Sequence, residues 1–267
     1  RLLKIVPGGD YGYQFRYGRP GTNPLQAWDG ELPGTLPMIC GTGEAACSVI
    51  PYGEHLWVSS WALGQIEEYK LTKKGSNYSA TMKTIVKGDA SFRPVDFAHA
   101  EDGSVFFTDW VNASYQLHGQ GKVWKLIPLN GKGKKPEKHK AMVAEISPEK
   151  QEAKSLKQIN SDRFELASFF WHSKRPGNKT KLLWESLSEN SRIALLTAAK
   201  WDERKDQEQI LKAINGPSKK VQVAAIRIIA DENMKQFQEP LEKILGSADP
   251  NSQLFKVTES AIKELKK

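Results

Sequence analysis

Hydrophobic and polar positions follow two different periods in the two parts of the chain. Up to residue 127 the apolar runs are short and are separated by turn signals roughly every ten residues, a spacing typical of β-sandwiches, barrels and propellers. From residue 147 onward, apolar residues recur with helical spacing. The sequence therefore predicts a β + α multidomain protein, with domains at residues 1–128 and 147–267 and a basic linker at 129–146.

Two sets of strands are predicted in the first domain. An Asp-Gly pair at residues 102–103 stands between two apolar runs and predicts a hairpin. The predicted strands are 2–6, 56–61, 65–71, 78–86, 94–98, 104–109 and 121–127. The two sets following residue 55 have the pattern of consecutive propeller blades, so we expect the last blades of a β-propeller here.

The second domain contains a helical repeat. Helices are predicted at 149–159, after the Ser147-Pro148 cap, and at 164–171. Apolar positions then recur 30 residues apart: Ile193, Leu196, Ala199, Leu211 and Ile214 correspond to Val223, Ile226, Ile229, Leu241 and Ile244. Repeated pairs of short helices stack as an α-solenoid, and these units resemble HEAT repeats. We expect the solenoid to act as a scaffold that offers a docking surface to a protein partner.

Two stretches of the first domain resemble a known family. Residues 3–13 are similar to the run that carries backbone calcium ligands in glucose/sorbosone dehydrogenase β-propellers. Residues 92–126 are closer to the "membrane-bound dehydrogenase" proteins of planctomycetes and verrucomicrobia, which join such a propeller to HEAT repeats. The resemblance covers residues 1–127. It implies a periplasmic or secreted protein, a front portion before Arg1, and haem c only in a module outside this chain.

The resemblance also implies a cofactor site. In the soluble members of the family, cationic side chains hold pyrroloquinoline quinone at the propeller axis, where positive charge stabilises the quinone oxygens. Arg93 stands where the first of two such arginines is expected, whereas Val95 takes the place of the second and Ala62 that of a lysine. Arg93 and Asp96 either contact the cofactor or substrate at the axis or form a structural ion pair at a blade edge.

Other polar residues have both a functional and a structural interpretation. His118 lies in a polar loop at 112–118, where it either contacts a ligand or packs the loop. His99 is predicted to be packed within its strand or at its rim. The resemblance places a partial calcium site at Gly9 to Tyr11, where carbonyl oxygens would be the ligands. No residue of this chain is assigned as the catalytic base.

The charge distribution and the cysteine content limit the classes of partner and of site that the sequence predicts. Residues 1–127 carry 12 basic and 12 acidic side chains, whereas residues 128–267 carry 27 and 19, so the net charge of +8 belongs to the second part. The lysines of the linker have no aromatic residues between them, so we expect no nucleic-acid binding. No apolar run is long enough for a membrane span. Cys40 and Cys47 either form a disulfide or stay unpaired.

Two functions remain after these observations. The leading hypothesis is a fragment of a quinoprotein-type sugar or alcohol dehydrogenase, in which a base upstream of this chain takes the proton and the quinone takes the hydride. The alternative is a non-catalytic propeller and helical-repeat protein that binds carbohydrate or a protein partner. Ala62 and Val95 favour the alternative because neither supplies a positive charge.

Overall fold

The computed structural model describes residues 1–12, 23–127, 162–173, 184–200 and 207–267. It divides into a sheet unit, which contains Arg1–Lys4 and the strands after Ile39, and a helical unit, which contains Ile5–Met38 and the helices. The predicted domains at 1–128 and 147–267 stay a prediction; in this structure Ile5–Met38 belongs to the helical unit. The predicted linker and the helix predicted at 149–159 lie outside the described residues.

The described part of the sheet unit contains two antiparallel sheets. The first has the order β1-β2-β3-β4 and the second β5-β6-β7. Their strands are β1 Ala46–Tyr52, β2 His55–Ser60, β3 Gln65–Lys74, β4 Asn77–Lys87, β5 Pro94–His99, β6 Val105–Asp109 and β7 Lys122–Leu126. Six predicted strands are confirmed. The strand predicted at 2–6 is wrong, since only an isolated bridge joins Leu2 to Cys40 there, and β1 was not predicted.

One apolar core joins the two sheets. Alternate residues of the strands face it, as the period-2 pattern requires, and the core contains Ile50, Trp57, Ile66, Phe92, Val105 and Phe107. Side chains also tie β1 and β2 to β5: Ser48 Oγ donates to the Asp96 carboxylate at 2.6 Å, and Ser59 Oγ donates to the Val95 carbonyl at 2.7 Å. The antiparallel β class is therefore confirmed, while the propeller stays a prediction.

The described helical unit contains six α-helices. These are α1 Arg163–Ser173, α2 Glu189–Ala199, α3 Gln207–Ile214, α4 Lys219–Asp231, α5 Gln238–Ser247 and α6 Gln253–Leu265. Serines cap three alternate helices, α2, α4 and α6: the hydroxyls of Ser188, Ser218 and Ser252 accept from the backbone N–H three residues later. Such caps satisfy N–H groups that have no partner within the helix. None of these helices is long and apolar enough to cross a bilayer.

Some of the repeated apolar positions match in the structure, whereas Leu211 is exposed and its equivalent Leu241 is buried. Ile193 and Leu196 of α2 correspond to Val223 and Ile226 of α4, and all four are buried in one core. The 5–38 segment adds Leu25, Ala27 and Leu32 to that core. These residues cover apolar helix surface within the unit. The mixed β + α class is thereby confirmed, and assignment of the helices to HEAT repeats stays a prediction.

Candidate functional site

Arg93 lies directly before β5 and is held in place by three contacts. Its backbone N–H donates to Asp109 Oδ1 at 2.7 Å, and its Nη1 donates to the Phe92 carbonyl at 2.8 Å. The guanidinium carbon is 5.7 Å from the centroid of the Trp61 ring. Its Nε is buried and has no hydrogen-bond partner. A buried N–H without a partner costs about 1–3 kcal/mol, so an oxygen that reached Nε would recover this cost.

Glycine at position 64 makes room for this arginine. Gly64 has a φ of +58°, which favours glycine, and a Cβ at this position would lie 3.0 Å from Arg93 Nη1 and 2.7 Å from the Phe92 carbonyl oxygen. The turn between β2 and β3 therefore approaches the guanidinium closely only because it has no side chain here.

An exposed aromatic surface lies beside Arg93. Trp61 and Tyr115 stack with ring centroids 5.4 Å apart and an angle of 9° between the rings. Tyr115 is 85 % exposed and Leu117, two residues later, is 94 % exposed. Exposed apolar side chains that are grouped in this way mark binding surfaces more often than scattered ones do. We call Trp61, Arg93, Tyr115 and His118 the Arg93 site.

Asp109 organises the base of the Arg93 site. Its buried carboxylate accepts from the backbone N–H of Arg93 at 2.7 Å, from that of Val111 at 2.8 Å and from Trp124 Nε1 at 2.9 Å. Val111 has a φ of +69°, an uncommon conformation for a β-branched residue. Such strain costs about 1–3 kcal/mol and is typical of functional segments. The loop that carries Tyr115 and His118 therefore leaves the sheet in a strained conformation fixed by Asp109.

His118 has one unsatisfied ring nitrogen. Its Nδ1 accepts from the backbone N–H of Gln120 at 3.0 Å, so the proton of the neutral ring is on Nε2. The ring meets Trp110 edge-on, with centroids 4.7 Å apart, while Trp110 donates from Nε1 to the Ser114 carbonyl. Nε2 is buried without a partner. The backbone N–H of Trp110 donates to the Arg93 carbonyl at 2.8 Å, so both unsatisfied donors belong to residues that contact Trp110.

Asp96 does not belong to this group. Its exposed carboxylate accepts from Ser48 Oγ at 2.6 Å and from the Phe97 N–H at 2.9 Å, and these hydrogen bonds lower the pKa of Asp96. The structure describes both residues, and the Asp96 carboxylate forms no ion pair with the Arg93 guanidinium. The alternative of a structural Arg93–Asp96 ion pair is therefore wrong. The strand pleat explains the difference, since Asp96 points to the outer face of β5. His99 is packed as expected, with Nε2 2.7 Å from the Pro51 carbonyl.

The described residues do not fit the cofactor that the resemblance implies. A polyanionic quinone needs several cationic partners, and Arg93 is the one cation of the predicted set that this sheet unit supplies. The side chains at the other two positions, Ala62 and Val95, carry no charge. We therefore derive no chemical step through a quinone.

The predicted calcium stretch lies in the helical unit. The Tyr11 hydroxyl accepts from the Val6 N–H at 2.9 Å, and Gly9 N–H donates to the Val6 carbonyl at 3.1 Å. Asp10, between them, is paired with two cations, Arg227 at 3.1 Å and Lys200 at 3.3 Å. The described residues contain no group of three or more acidic, histidine or cysteine side chains suited to a metal. The Asp10 carboxylate is thus already neutralised, and calcium at this stretch stays a prediction.

The two cysteines are free thiols in the structure. Burial raises the pKa of both Cys40 and Cys47. A raised pKa keeps a thiol protonated at neutral pH and makes it a poor nucleophile. The cysteines therefore add no reactive group to the Arg93 site.

Comparisons with known proteins place the chain only loosely. No family model matches it, and no curated protein matches it. One solved structure with a similar backbone is a putative oxidoreductase (glucose dehydrogenase) from Thermus thermophilus, with 18 % identity and a TM-score of 0.37. The match covers 46 % of this chain and 35 % of that one, so the chain spans about a third of the length of that protein. At this level of similarity the match assigns no activity to the chain.

Proposed function

We propose that the sheet unit binds a sugar at the Arg93 site without itself oxidising it. The observation that carries this proposal is a set of two buried, unsatisfied donors: Arg93 Nε, whose guanidinium lies over the Trp61 ring, and His118 Nε2, in the loop that also carries the exposed Tyr115. A sugar ring has hydroxyl oxygens that accept from such donors and an apolar C–H face that packs on an aromatic ring. Tyr115, which is exposed and stacks on the half-buried Trp61, supplies that ring.

Arginine suits this role better than it suits a purely structural one. Its planar guanidinium carries five N–H donors, and here one of them bonds the Phe92 carbonyl while Nε has no partner. The cation–π contact with Trp61 fixes the guanidinium plane before a ligand arrives. A preorganised donor loses less conformational entropy on binding, which favours affinity.

Quinone-dependent sugar oxidation is a second proposal and concerns a longer protein. It is supported by the sequence resemblance of residues 92–126, and it requires cationic groups and a base that the described residues do not supply. A periplasmic or secreted location and a protein partner on the helical unit are proposals of the same standing. In this second proposal the chain contributes sugar recognition, and the redox chemistry belongs to residues elsewhere.

Calorimetry on the full chain tests sugar binding. Glucose, galactose, maltose and cellobiose are titrated separately, and we expect at least one of them to bind saturably. The variant Arg93→Met should weaken that binding about 10- to 100-fold, since a hydrogen bond to a charged group contributes roughly 1.5–3 kcal/mol. The variant Tyr115→Ala should weaken it about 2- to 10-fold through loss of stacking, worth roughly 0.5–1.5 kcal/mol.

A matched control exists in the helical unit. Arg192 lies 5.5 Å from the Trp184 ring, as Arg93 lies near Trp61, so Arg192→Met removes a comparable cation–π contact away from the Arg93 site. We expect this variant to bind sugar like the unmodified chain. Equal binding by Arg93→Met and the unmodified chain, or no binding of any of the four sugars, would exclude the proposal.

The two proposals are separated by adding pyrroloquinoline quinone. Its absorbance is followed during titration into the full chain with calcium present. We expect no saturable binding, because a single guanidinium faces three carboxylates of the cofactor. Saturable binding that is lost in Arg93→Met would instead support the dehydrogenase.

A further inference from the structure

A cavity of about 360 Å³ lies within the helical unit. Its walls are the 30–36 segment, the facing sides of α1 and α2, and the first residues of α4 and α6. This volume is within the range of about 300–1,000 Å³ that small-molecule sites occupy. None of the residues of the Arg93 site lines it, so it is independent of the sugar-binding proposal.

The inner part of the cavity is apolar. Leu32 from the segment, Leu166 of α1 and Ile193 of α2 are buried and face it, together with Ala167 and Ala194. These side chains offer no hydrogen bond to a ligand. Burial of hydrocarbon against them is favourable, at about 25 cal/mol for each Å² of apolar surface removed from water.

A glycine closes one side of this cavity. Gly34 has a φ of +88°, and a Cβ at this position would lie 2.6 Å from Thr197 Oγ1 of α2. The absence of a side chain lets the segment run close to α2. The wall is therefore formed by backbone, whose position is fixed by helix contacts.

Four nitrogen-bearing side chains stand at the mouth, each at the first or second residue of a helix. They are Arg163, Asn190, Lys220 and Gln253. Arg163 donates from Nη1 to the carbonyls of residues 30 and 35, and Gln253 donates to the carbonyl of residue 31. The lining thus carries two cations, Arg163 and Lys220, and one acid, Glu31, and the positive ends of the helix dipoles add to the field of the cations.

The nearby acidic groups are already bound. The Glu31 carboxylate accepts from the backbone N–H groups of Trp28 at 2.8 Å and Asp29 at 2.7 Å. Glu189 accepts from Ser218 Oγ at 2.6 Å and from Lys220 Nζ at 3.2 Å. These bonds satisfy the carboxylates locally. Glu189 occupies one donor of Lys220, and the carbonyls of residues 30 and 35 occupy Arg163 Nη1, so an anion at the mouth would use the remaining N–H groups of these two side chains.

We propose that this cavity binds a small amphiphilic carboxylate, such as a medium-chain fatty acid. The carboxylate lies at the mouth against Arg163 and Lys220, and the hydrocarbon tail packs on Leu166 and Ile193. Charge at one end and apolar surface at the other match the two parts of the ligand. The binding step is reversible and involves no covalent change.

Calorimetry with octanoate tests the assignment. Octanoate should bind the full chain saturably, and octylamine, with the same tail and the opposite charge, should bind at least tenfold more weakly. Lys220→Met should weaken octanoate binding about 5-fold, whereas Lys219→Met, at the neighbouring exposed position that does not line the cavity, should leave it unchanged. Ala194→Leu, which adds volume inside the cavity, should weaken binding at least tenfold while the thermal midpoint is retained.

Three results would overturn the assignment. Octanoate fails to bind, or octylamine binds as tightly as octanoate, or Lys219→Met loses as much affinity as Lys220→Met. If Ala194→Leu unfolds, the pair of lysine variants still decides, because both positions are exposed and neither substitution disturbs the core.

Discussion

Replacement of Asp10 by asparagine should destabilise the helical unit strongly. Asp10 is 9 % exposed, and its Oδ2 lies 3.1 Å from Arg227 Nη2 and 3.3 Å from Lys200 Nζ. Lys200 also pairs with Asp231 at 2.5 Å, so among the described residues two acids and two bases share one buried cluster. The variant Asp10→Asn keeps the volume of the side chain and removes one negative charge from this cluster.

The pKa of Asp10 gives a magnitude. Burial opposes ionisation, but the charges of Arg227 and Lys200 outweigh it and lower the pKa from 3.8 to about 2. That difference corresponds to about 2 kcal/mol of stabilisation at neutral pH, at 1.36 kcal/mol per pKa unit. Removal of one partner of a buried pair costs roughly 3–5 kcal/mol, since the other charge is left without compensation. We expect Asp10→Asn to lower the free energy of unfolding by about 2–5 kcal/mol.

Urea unfolding, followed by helical circular dichroism at several pH values, measures this effect. Because the pKa of Asp10 is lower in the folded state, its contribution is present above the unfolded value of 3.8 and is lost as the pH falls toward 2. The difference between Asp10→Asn and the unmodified chain should therefore be largest at pH 7 and shrink below pH 4. This pH dependence arises because Arg227 and Lys200 pair with the Asp10 carboxylate in the folded state.

An exposed pair provides the control. Asp102 lies 2.8 Å from Lys125 Nζ, and hydrogen bonds from Lys125 and Ser104 lower its pKa, but the pair is open to solvent. Exposed ion pairs contribute about 0–1 kcal/mol, so Asp102→Asn should have little effect. A loss below about 1 kcal/mol for Asp10→Asn, or a loss that is the same at pH 7 and at pH 2.5, would refute the reasoning from the buried cluster.

Three further substitutions test the packing of the fold and of the Arg93 site. Leu241→Ala should lower the free energy of unfolding by about 2–5 kcal/mol, because Leu241 is 0 % exposed. Leu211→Ala, at the equivalent repeat position, should lower it by under about 0.5 kcal/mol, because Leu211 is 45 % exposed. Equal unfolding midpoints of the two variants in urea would contradict this. Gly64→Ala should reduce sugar affinity and stability more than Gly119→Ala. Both glycines have a positive φ, but of the two only Gly64 has neighbouring atoms that an added Cβ would meet. Equal losses in the two variants would show that backbone strain alone causes the effect. Asp109→Asn should lower the free energy of unfolding by about 1–3 kcal/mol, because buried donors lose their acceptor, and it should also reduce sugar affinity. An unchanged unfolding free energy and an unchanged affinity in calorimetry would show that Asp109 does not organise the site.

The strands of the sheet unit were predictable where apolar positions and turn residues agree. The strand predicted at 94–98 and the Asp102-Gly103 turn have this pattern, and both are found. β1 was missed because Pro51 interrupts its run, and proline is tolerated there since β1 is an edge strand, hydrogen-bonded within its sheet only to β2. The strand predicted at 2–6 has the right residue types, but within residues 2–6 only Leu2 forms a β-bridge.

The Arg93 site was predictable only in part. Arg93 was predicted from the family resemblance, and His118 from its position in a polar loop. In the structure each of them has a buried nitrogen without a hydrogen-bond partner. Asp109 was known only as the end of a predicted strand. A carboxylate directly after an alternating apolar strand was the available signal, but its bond to Trp124, 15 residues away, depends on sheet pairing.

The sequence by itself determined the two periodicities, and hence the β and the helical parts, because side-chain period and capping are local properties of neighbouring residues. The repeat of Leu196 at Ile226 is an example. Only the tertiary structure decided that residues 5–38 pack with the helices, since Asp10 meets Arg227 across 217 positions of chain. No local sequence pattern predicts such a pairing. A buried charge requires a partner, but the residues around it in the sequence do not indicate which distant residue supplies that partner.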